Sequence, residues 1–105
     1  MAKNFCQVVI SATSRREANK ISDVLVSGKL VAGTLTTKGP SKYWWRNMIV
    51  EKEYYNVQGF TMLKNKSRII AAVKKIHKDK CPIIAFTIIE GNLEFLEWIK
   101  SSVDI

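Results

Sequence analysis

Two long β-rich segments constrain the fold of this chain more than any other feature of its sequence. They cover residues 31–45 and 48–60 and are joined only by Arg46 and Asn47, a two-residue connection typical of a β-hairpin. Asn47 adopts a positive φ more readily than most residues, which suits the tip of a hairpin. Because strands average about five or six residues, the two segments predict a ribbon that extends well beyond the rest of the domain.

The first arm of this ribbon ends in three consecutive aromatic residues, Tyr43-Trp44-Trp45. A buried Trp removes on the order of 200 Å² from water, and a monomer rarely leaves an apolar patch of that size exposed. A tip so far from the core cannot easily bury both indoles within its own subunit. The sequence therefore predicts that other copies of the same chain cover the ribbon.

The segments before the ribbon predict a strand and a helix. Residues 5–12 are rich in β-branched and aromatic side chains, which favours a first strand. Ser14 and Glu17 have the capping-box spacing, with the Glu17 side chain expected to reach back to the Ser14 N–H. Ala18, Ile21 and Leu25 then recur on one helical stripe, and Gly28 is expected to end the helix in the left-handed conformation.

The segments after the ribbon predict a second helix, a strand and a third helix. Cap candidates at residues 64–67 precede a helix that runs to about Lys78, and Pro82 then interrupts the chain before the next strand. The continuous apolar run at residues 83–89 predicts a central strand buried on both faces. Gly91 and Asn92 lead into a last helix with an apolar stripe of Leu96, Ile99 and Val103.

This order is β-α-β-β-α-β with an extra C-terminal helix. Strands connected through a helix form right-handed parallel units, and two such units joined by a hairpin give an α+β ferredoxin-like sandwich. We therefore predict one antiparallel sheet with two helices on one face and a long β2–β3 ribbon. Pro40 lies inside the first arm. Since proline has no N–H to donate, that point should be a bulge or an exposed edge.

The composition limits the kind of protein. The chain has 105 residues, enough for one domain, and carries 17 Lys and Arg against nine Asp and Glu, a net charge of +8. No apolar run approaches the ~18 residues of a membrane span, and the start shows no signal-peptide pattern. With only Cys6 and Cys81 present, reduced thiols are the expected state. We expect a cytoplasmic protein without membrane attachment.

Seven Lys and Arg residues fall in residues 64–80, against the single acid Asp79. Such a block attracts nucleic acid or an anionic membrane surface, or it is a solvated helix face that keeps a basic protein soluble. The alternative function is therefore a ferredoxin-like RNA-binding module, which has the same order of elements and stacks bases on sheet aromatics. Around Gly59, only Phe60 of that aromatic signature is present.

His77, Asp79 and Cys81 are the candidate metal ligands. They alternate along the chain, so their side chains share a face if the segment is extended. Imidazole and thiolate suit copper or zinc, although a closed structural zinc site needs four ligands. The alternative is that His77 ends the helix, Asp79 is solvated and Cys81 is a small buried hydrophobe. One histidine, no phosphate loop and no catalytic triad argue against an enzyme.

The chain resembles the CutA divalent-cation-tolerance proteins over residues 8–102, nearly its whole length. The most specific motif is the run from Gly91-Asn92 through Phe95-Leu96 to Trp98, downstream of Tyr43-Trp44-Trp45. The other matching parts are Glu17-Ala18-Asn19-Lys20-Ile21, Leu30-Val31-Ala32, Met48-Ile49, and His77 with Pro82. After His77 the chain continues Lys78-Asp79-Lys80, where the family usually has Pro-Tyr-Glu.

The resemblance implies a single domain over residues 1–105 that forms a homotrimer by pairing long strands between neighbours. It also implies binding of copper or another divalent metal. The predicted trimer interface contains Tyr43, Trp44, Trp45 and Trp98. Together these expectations describe a non-enzymatic binding or structural module associated with metal tolerance, without a specific nucleic-acid partner.

Overall fold

The computed structural model describes residues 4–103 and confirms the predicted order of elements. Four strands and three helices follow one another along the chain, with a short 3₁₀ turn at Leu63–Asn65 before the second helix. The elements are β1 (Phe5–Ala12), α1 (Arg15–Ser27), β2 (Gly33–Trp45), β3 (Met48–Met62), α2 (Lys66–Ile76), β4 (Ile84–Ile88) and α3 (Leu93–Ser102).

The four strands form one antiparallel sheet in the order β2-β3-β1-β4. Strand β1 is central: Ile10 faces Val57 of β3 on one side and Ile84 of β4 on the other. Helices α1 and α2 cover one face of the sheet and bury a core whose members include Val8, Ile10, Ile21 and Ile69. The predicted arrangement of two helices on one face is confirmed.

The prediction that residues 83–89 form a central strand was wrong. In the part of the chain that the structure describes, β4 is an edge strand of five residues that pairs only with β1. Ala85 and Thr87 are exposed. A short apolar run does not reveal which neighbours a strand will have, because that depends on the topology of the whole sheet. In this chain β1 and β3 are the strands with neighbours on both sides.

Helix α1 begins as predicted and ends differently. The Glu17 N–H donates to the Ser14 hydroxyl at 3.1 Å, so Ser14 is the N-cap. At the other end Gly28 has φ −81°, and Lys29 adopts the left-handed conformation with φ 58°. The prediction for Gly28 was therefore wrong. A glycine suits this position because a Cβ there would lie 2.9 Å from the Val24 carbonyl oxygen.

The ribbon keeps a continuous register along its whole length, from Gly33 opposite Phe60 to Trp45 opposite Met48. Both turn residues, Arg46 and Asn47, have positive φ values of 51° and 66°, the geometry that two-residue hairpins favour. Pro40 pairs with Glu53 without a bulge. It is tolerated because β2 is an edge strand.

Helix α3 packs on the opposite face of the sheet from α1 and α2. Its Ile99 lies in a second cluster with Phe5 and Met62, and side chains at positions 5 and 8 of β1 point to opposite faces. The Phe95 ring meets Phe60 edge to face, with centroids 5.1 Å apart. Helix α3 thus covers one end of the second sheet face. No helix within residues 4–103 is long and apolar enough to cross a membrane.

Candidate metal site and assembly surface

His77 is a buried structural residue at the end of α2. Its side chain is 1% exposed. Nε2 lies 2.5 Å from the Ser11 carbonyl oxygen, and Nδ1 lies 3.0 Å from the Asp79 backbone nitrogen. A carbonyl only accepts and a backbone N–H only donates, so these contacts require a neutral ring with its proton on Nε2. Both ring nitrogens are therefore occupied by hydrogen bonds, and the prediction that His77 ends the helix is confirmed.

Glu17 lies beside this histidine, and the sequence did not predict that role. Its carboxylate accepts the Thr13 N–H at 2.7 Å and the Lys78 N–H at 2.8 Å, and it lies 3.8 Å from His77 Nε2. Burial alone would raise the pKa of Glu17, but the hydrogen bonds that its carboxylate accepts from Thr13 and Lys78 lower it. The capping-box spacing was the available signal, yet the side chain reaches Thr13 instead of Ser14 because Thr13 offers both N–H and hydroxyl.

Asp79 connects the segment after α2 to the ribbon. Its carboxylate accepts the Tyr54 hydroxyl at 2.8 Å. The Tyr54 ring stacks on Tyr43 of the facing strand, with centroids 5.8 Å apart. Burial, followed by the hydrogen bonds with Tyr43 and Asp79, raises the pKa of Tyr54 above its ordinary value. Asp79 is therefore engaged with the fold and is not simply solvated.

The two cysteines are free and far apart. Cys6 is buried and Cys81 is exposed, so the alternative that Cys81 is a buried hydrophobe was wrong. Burial raises the pKa of the Cys6 thiol. Along β4, Ile88 faces Cys6 and Ile84 faces Ile10, and Cys81 precedes Ile84. Four residues of strand already span about 13 Å, beyond the ~7 Å limit for a disulfide.

Within one chain, these residues do not make a fitted metal site. No group of three His, Cys, Asp or Glu side chains in residues 4–103 is arranged to hold an ion. His77 uses both ring nitrogens, and Asp79 holds the Tyr54 hydroxyl. Cys81 alone presents an exposed donor atom. The three-ligand site stays a prediction, and it would need both a second chain and a rearranged His77 or Asp79.

The tip of the ribbon exposes large apolar side chains. Trp44 is 71% exposed and Trp45 is 41% exposed, and across the turn Met48 and Ile49 are 68% and 54% exposed. Tyr43 differs from its neighbours, since it is half-buried against Tyr54. Trp98 lies elsewhere, on α3, where its ring approaches Gly33 closely enough that an added Cβ would sit 3.1 Å away. It is 44% exposed.

The sheet face opposite α1 and α2 does not offer the aromatic platform of an RNA-binding module. Phe60 packs on Phe95 of α3. Gln7 and Gln58 lie next to Phe60 on that face, and the Gln58 amide donates to the Gln7 side chain at 2.9 Å. Stacking of bases needs open aromatic rings. In the described residues, the centre of this face carries the Gln7–Gln58 pair where a base-stacking ring would be needed. The structure therefore does not favour the RNA-binding alternative.

Known proteins are similar to this chain in both sequence and fold. The sequence model of the family described as CutA1 divalent ion tolerance protein matches residues 6–102. The "Divalent-cation tolerance protein CutA" of Thermus thermophilus is 30% identical over 97 residues, which cover 90% of this chain and 94% of that protein. "Protein CutA 1, chloroplastic" of rice is 28% identical over 101 residues, but the chain spans only 55% of its length.

The structural similarity is equally extensive. The solved structure of the "Periplasmic divalent cation tolerance protein CutA" from Archaeoglobus fulgidus superposes with a TM-score of 0.92 at 28% identity. The match covers 95% of this chain and 99% of that one. Since the family match extends over all seven elements, the chain belongs to the CutA1 divalent ion tolerance family.

Proposed function

We propose that this chain is a non-enzymatic, homotrimeric divalent-cation tolerance protein that binds copper or another divalent metal as its cargo. The exposed apolar tip of the ribbon carries the proposal for assembly, and family membership supports the role in metal tolerance. Trimer formation and metal binding are two separate properties in this proposal, because different residues would determine them.

The trimer is supported by what a single chain leaves uncovered. The four exposed apolar side chains at the tip are Trp44, Trp45, Met48 and Ile49. On the sheet face that α3 covers only at one end, Leu35 is 60% exposed. Patches of this kind usually mark an interaction surface. In a closed ring, each ribbon would lie on the uncovered sheet face of the next subunit, and Trp98 would lie beside it.

The metal is supported by the chemistry of Cys81. Its thiol is free and exposed, and copper prefers thiolate and imidazole to carboxylate ligands. Because one chain does not assemble three ligands, the proposed site is shared between subunits. His77 joins it only if its ring gives up the hydrogen bond from the Asp79 N–H. Ligation needs the thiolate, so affinity should fall as the pH is lowered.

Native mass measured with and without added Cu²⁺ or Zn²⁺ tests both properties. The expected mass is three times that of the 12.0 kDa chain, with about one metal per chain after titration. Cys81→Ser should lose metal and keep the trimer. Cys6→Ala is the matched control, because it removes the buried thiol and leaves the exposed one.

A mass of one chain would overturn the trimer, and unchanged metal binding in Cys81→Ser would overturn that ligand. His77→Ala tests the second ligand in the same reducing buffer, with circular dichroism to confirm that it folds. If metal binds no tighter than about millimolar, a range typical of weak sites, the metal part of the proposal fails and the assembly remains. The cytoplasmic location is also a proposal, and fractionation of the native cells tests it.

A further inference from the structure

The exposed positive charge of this chain is concentrated on one side of the molecule. Eleven of the 17 Lys and Arg residues fall in residues 15–29 and 64–80, and all eleven are exposed. These two ranges contain α1 and α2, which pack side by side on the same sheet face. We call this surface the basic helical face.

Few negative charges oppose them. Residues 15–29 and 64–80 contain three acidic residues, of which Glu17 is buried and Asp79 is held by the Tyr54 hydroxyl. Asp23 is the single exposed carboxyl in these two ranges. On the other side of the sheet, α3 and the turn before it carry Glu90, Glu94 and Glu97 against Lys100. The two helical ranges are therefore strongly positive, whereas α3 and its preceding turn are net negative, and this asymmetry favours approach of an anionic partner to the basic helical face.

The side chains on the basic helical face indicate what kind of anion it can bind. Neither α1 nor α2 contains an aromatic residue, so the face has no ring on which an unpaired base could stack. Nor does it have the Trp, Phe and Leu stripe with which an amphipathic helix enters a lipid surface. What it offers is cationic groups on two rigid helices. That chemistry fits the regularly spaced phosphates of a nucleic-acid duplex.

We propose that the basic helical face binds the phosphate backbone of double-stranded nucleic acid without sequence specificity. The 13 residues of α1 extend about 20 Å, a length along which a duplex carries roughly twelve phosphate charges. Lys74 and Lys75, in the last turn of α2, and Arg16 and Lys20 of α1 make phosphate contacts. This property is independent of the metal and of the trimer, and neither has to exist for it to be measured.

Fluorescence anisotropy with a short labelled DNA duplex of mixed sequence tests the proposal. Wild-type affinity should fall steeply between about 50 and 200 mM salt, because each phosphate contact releases counterions. The double variant Lys74→Gln/Lys75→Gln should bind about tenfold more weakly, with a salt slope smaller by about two. Glutamine keeps the helix propensity of lysine, so α2 should remain folded, as circular dichroism can verify.

The matched control removes the same charge from elsewhere on the surface. Lys42→Gln/Lys100→Gln changes one lysine of the ribbon, paired with Glu51 at 3.8 Å, and one of α3. It should retain the wild-type salt slope and lose less than about twofold in affinity. An equal loss in both double variants would overturn the basic helical face as the site, since net charge alone would then account for binding.

Three other outcomes would overturn the proposal. The first is no binding of the duplex at the lower salt concentration. The second is binding to vesicles that contain phosphatidylserine but not to the duplex at equal phosphate concentration, which would identify a membrane surface. The third is tighter binding to single-stranded RNA that persists at high salt, which would require base contacts that this face does not possess.

Discussion

The two ends of strand β3 have opposite environments. From Tyr55 to Phe60 the strand lies between β1 and β2, and its pairing with β1 continues to Met62. Val57, Gly59, Thr61 and Met62 are buried. Before Tyr55 its only neighbouring strand in the described residues 4–103 is β2, and the tip is exposed on both faces. A two-stranded ribbon is marginally stable by itself. One end is thus covered within a single chain, and the other end is the surface for which we propose a partner chain.

The candidate metal site and the candidate assembly surface differ in the same way. The buried network of Glu17, His77 and Asp79 ties α1, α2 and the ribbon together and uses nearly every polar group it contains. Within residues 4–103, the one such contact described for the apolar tip is the Arg46 guanidinium over the Trp45 ring at 5.4 Å. Residues that look like a site in the sequence therefore stabilise the fold. The exposed tip is the surface that we propose for assembly.

Replacing Trp45 at the tip should have the largest effect if the trimer forms. Trp45→Ala should cost about 3–5 kcal/mol when the indole is fully packed between subunits, and it should shift the native mass toward one chain. Val26→Ala is the control, because Val26 on α1 is 41% exposed, as Trp45 is. It should change stability by less than about 0.5 kcal/mol.

A single-chain native mass for the wild type, together with Trp fluorescence typical of solvent, would contradict this prediction. It would mean that the tip is stable while exposed. The two ends of β3 would then differ only in solvent exposure, without any consequence for assembly.

Ile10→Ala tests the complete end of the fold. Ile10 lies on β1, and its side chain is fully buried against α1 and α2. Removing that side chain should cost about 2–5 kcal/mol because it leaves a cavity. Urea denaturation at several protein concentrations provides the measurement. Because its packing partners lie within one chain, the loss should be the same at every concentration. If the loss in free energy of unfolding grows on dilution, the packing of Ile10 depends on assembly, and this prediction is wrong.

Glu17→Gln should change both stability and its dependence on pH. At neutral pH the variant should lose about 1–3 kcal/mol, as expected when a buried charged acceptor is removed. Because the folded pKa of Glu17 is lowered, its stabilising contribution is complete above the unfolded value of about 4.3 and disappears as the pH falls through the lower folded value. Stability of wild type and variant should therefore converge in acid.

Asp23→Asn is the matched control, since it neutralises an exposed carboxyl on the same helix. Denaturation curves collected from neutral to acidic pH for the three proteins decide the question. If Glu17→Gln loses stability in parallel with wild type throughout that range, the carboxylate is not the source of the acid sensitivity.

The sequence predicted those features that depend on near neighbours. The stripe of Ala18, Ile21 and Leu25 is buried as predicted, because helical periodicity places those residues on one face whatever packs against it. The ribbon and the positive φ of Asn47 are confirmed for the same reason. Local geometry determines them.

The features that the sequence missed depend on distant parts of the chain. The edge position of β4 follows from which strand pairs with β1, and the burial of His77 follows from its bond to the Ser11 carbonyl, 66 positions away. The alternation of His77, Asp79 and Cys81 indicated a shared face. In the fold, each of these side chains has a different environment, because the segment turns and is not extended.

Tyr54→Phe probes the boundary between the two ends of β3 and should have the smallest effect. Tyr54 is half-buried one residue before the strand gains β1 as a neighbour, and its hydroxyl donates to Asp79. Loss of that hydrogen bond should cost about 0.5–1.5 kcal/mol.

Since the folded pKa of Tyr54 is raised, its contribution is complete below the unfolded pKa of about 10 and is lost as the pH rises above that value. Tyr54→Phe should therefore weaken the alkaline loss of stability, whereas Tyr55→Phe, the neighbour with no hydroxyl hydrogen bond described in residues 4–103, should retain it. Identical alkaline profiles for the two variants would show that the contact with Asp79 contributes nothing, and that the ribbon is fixed to the domain by its strand pairing alone.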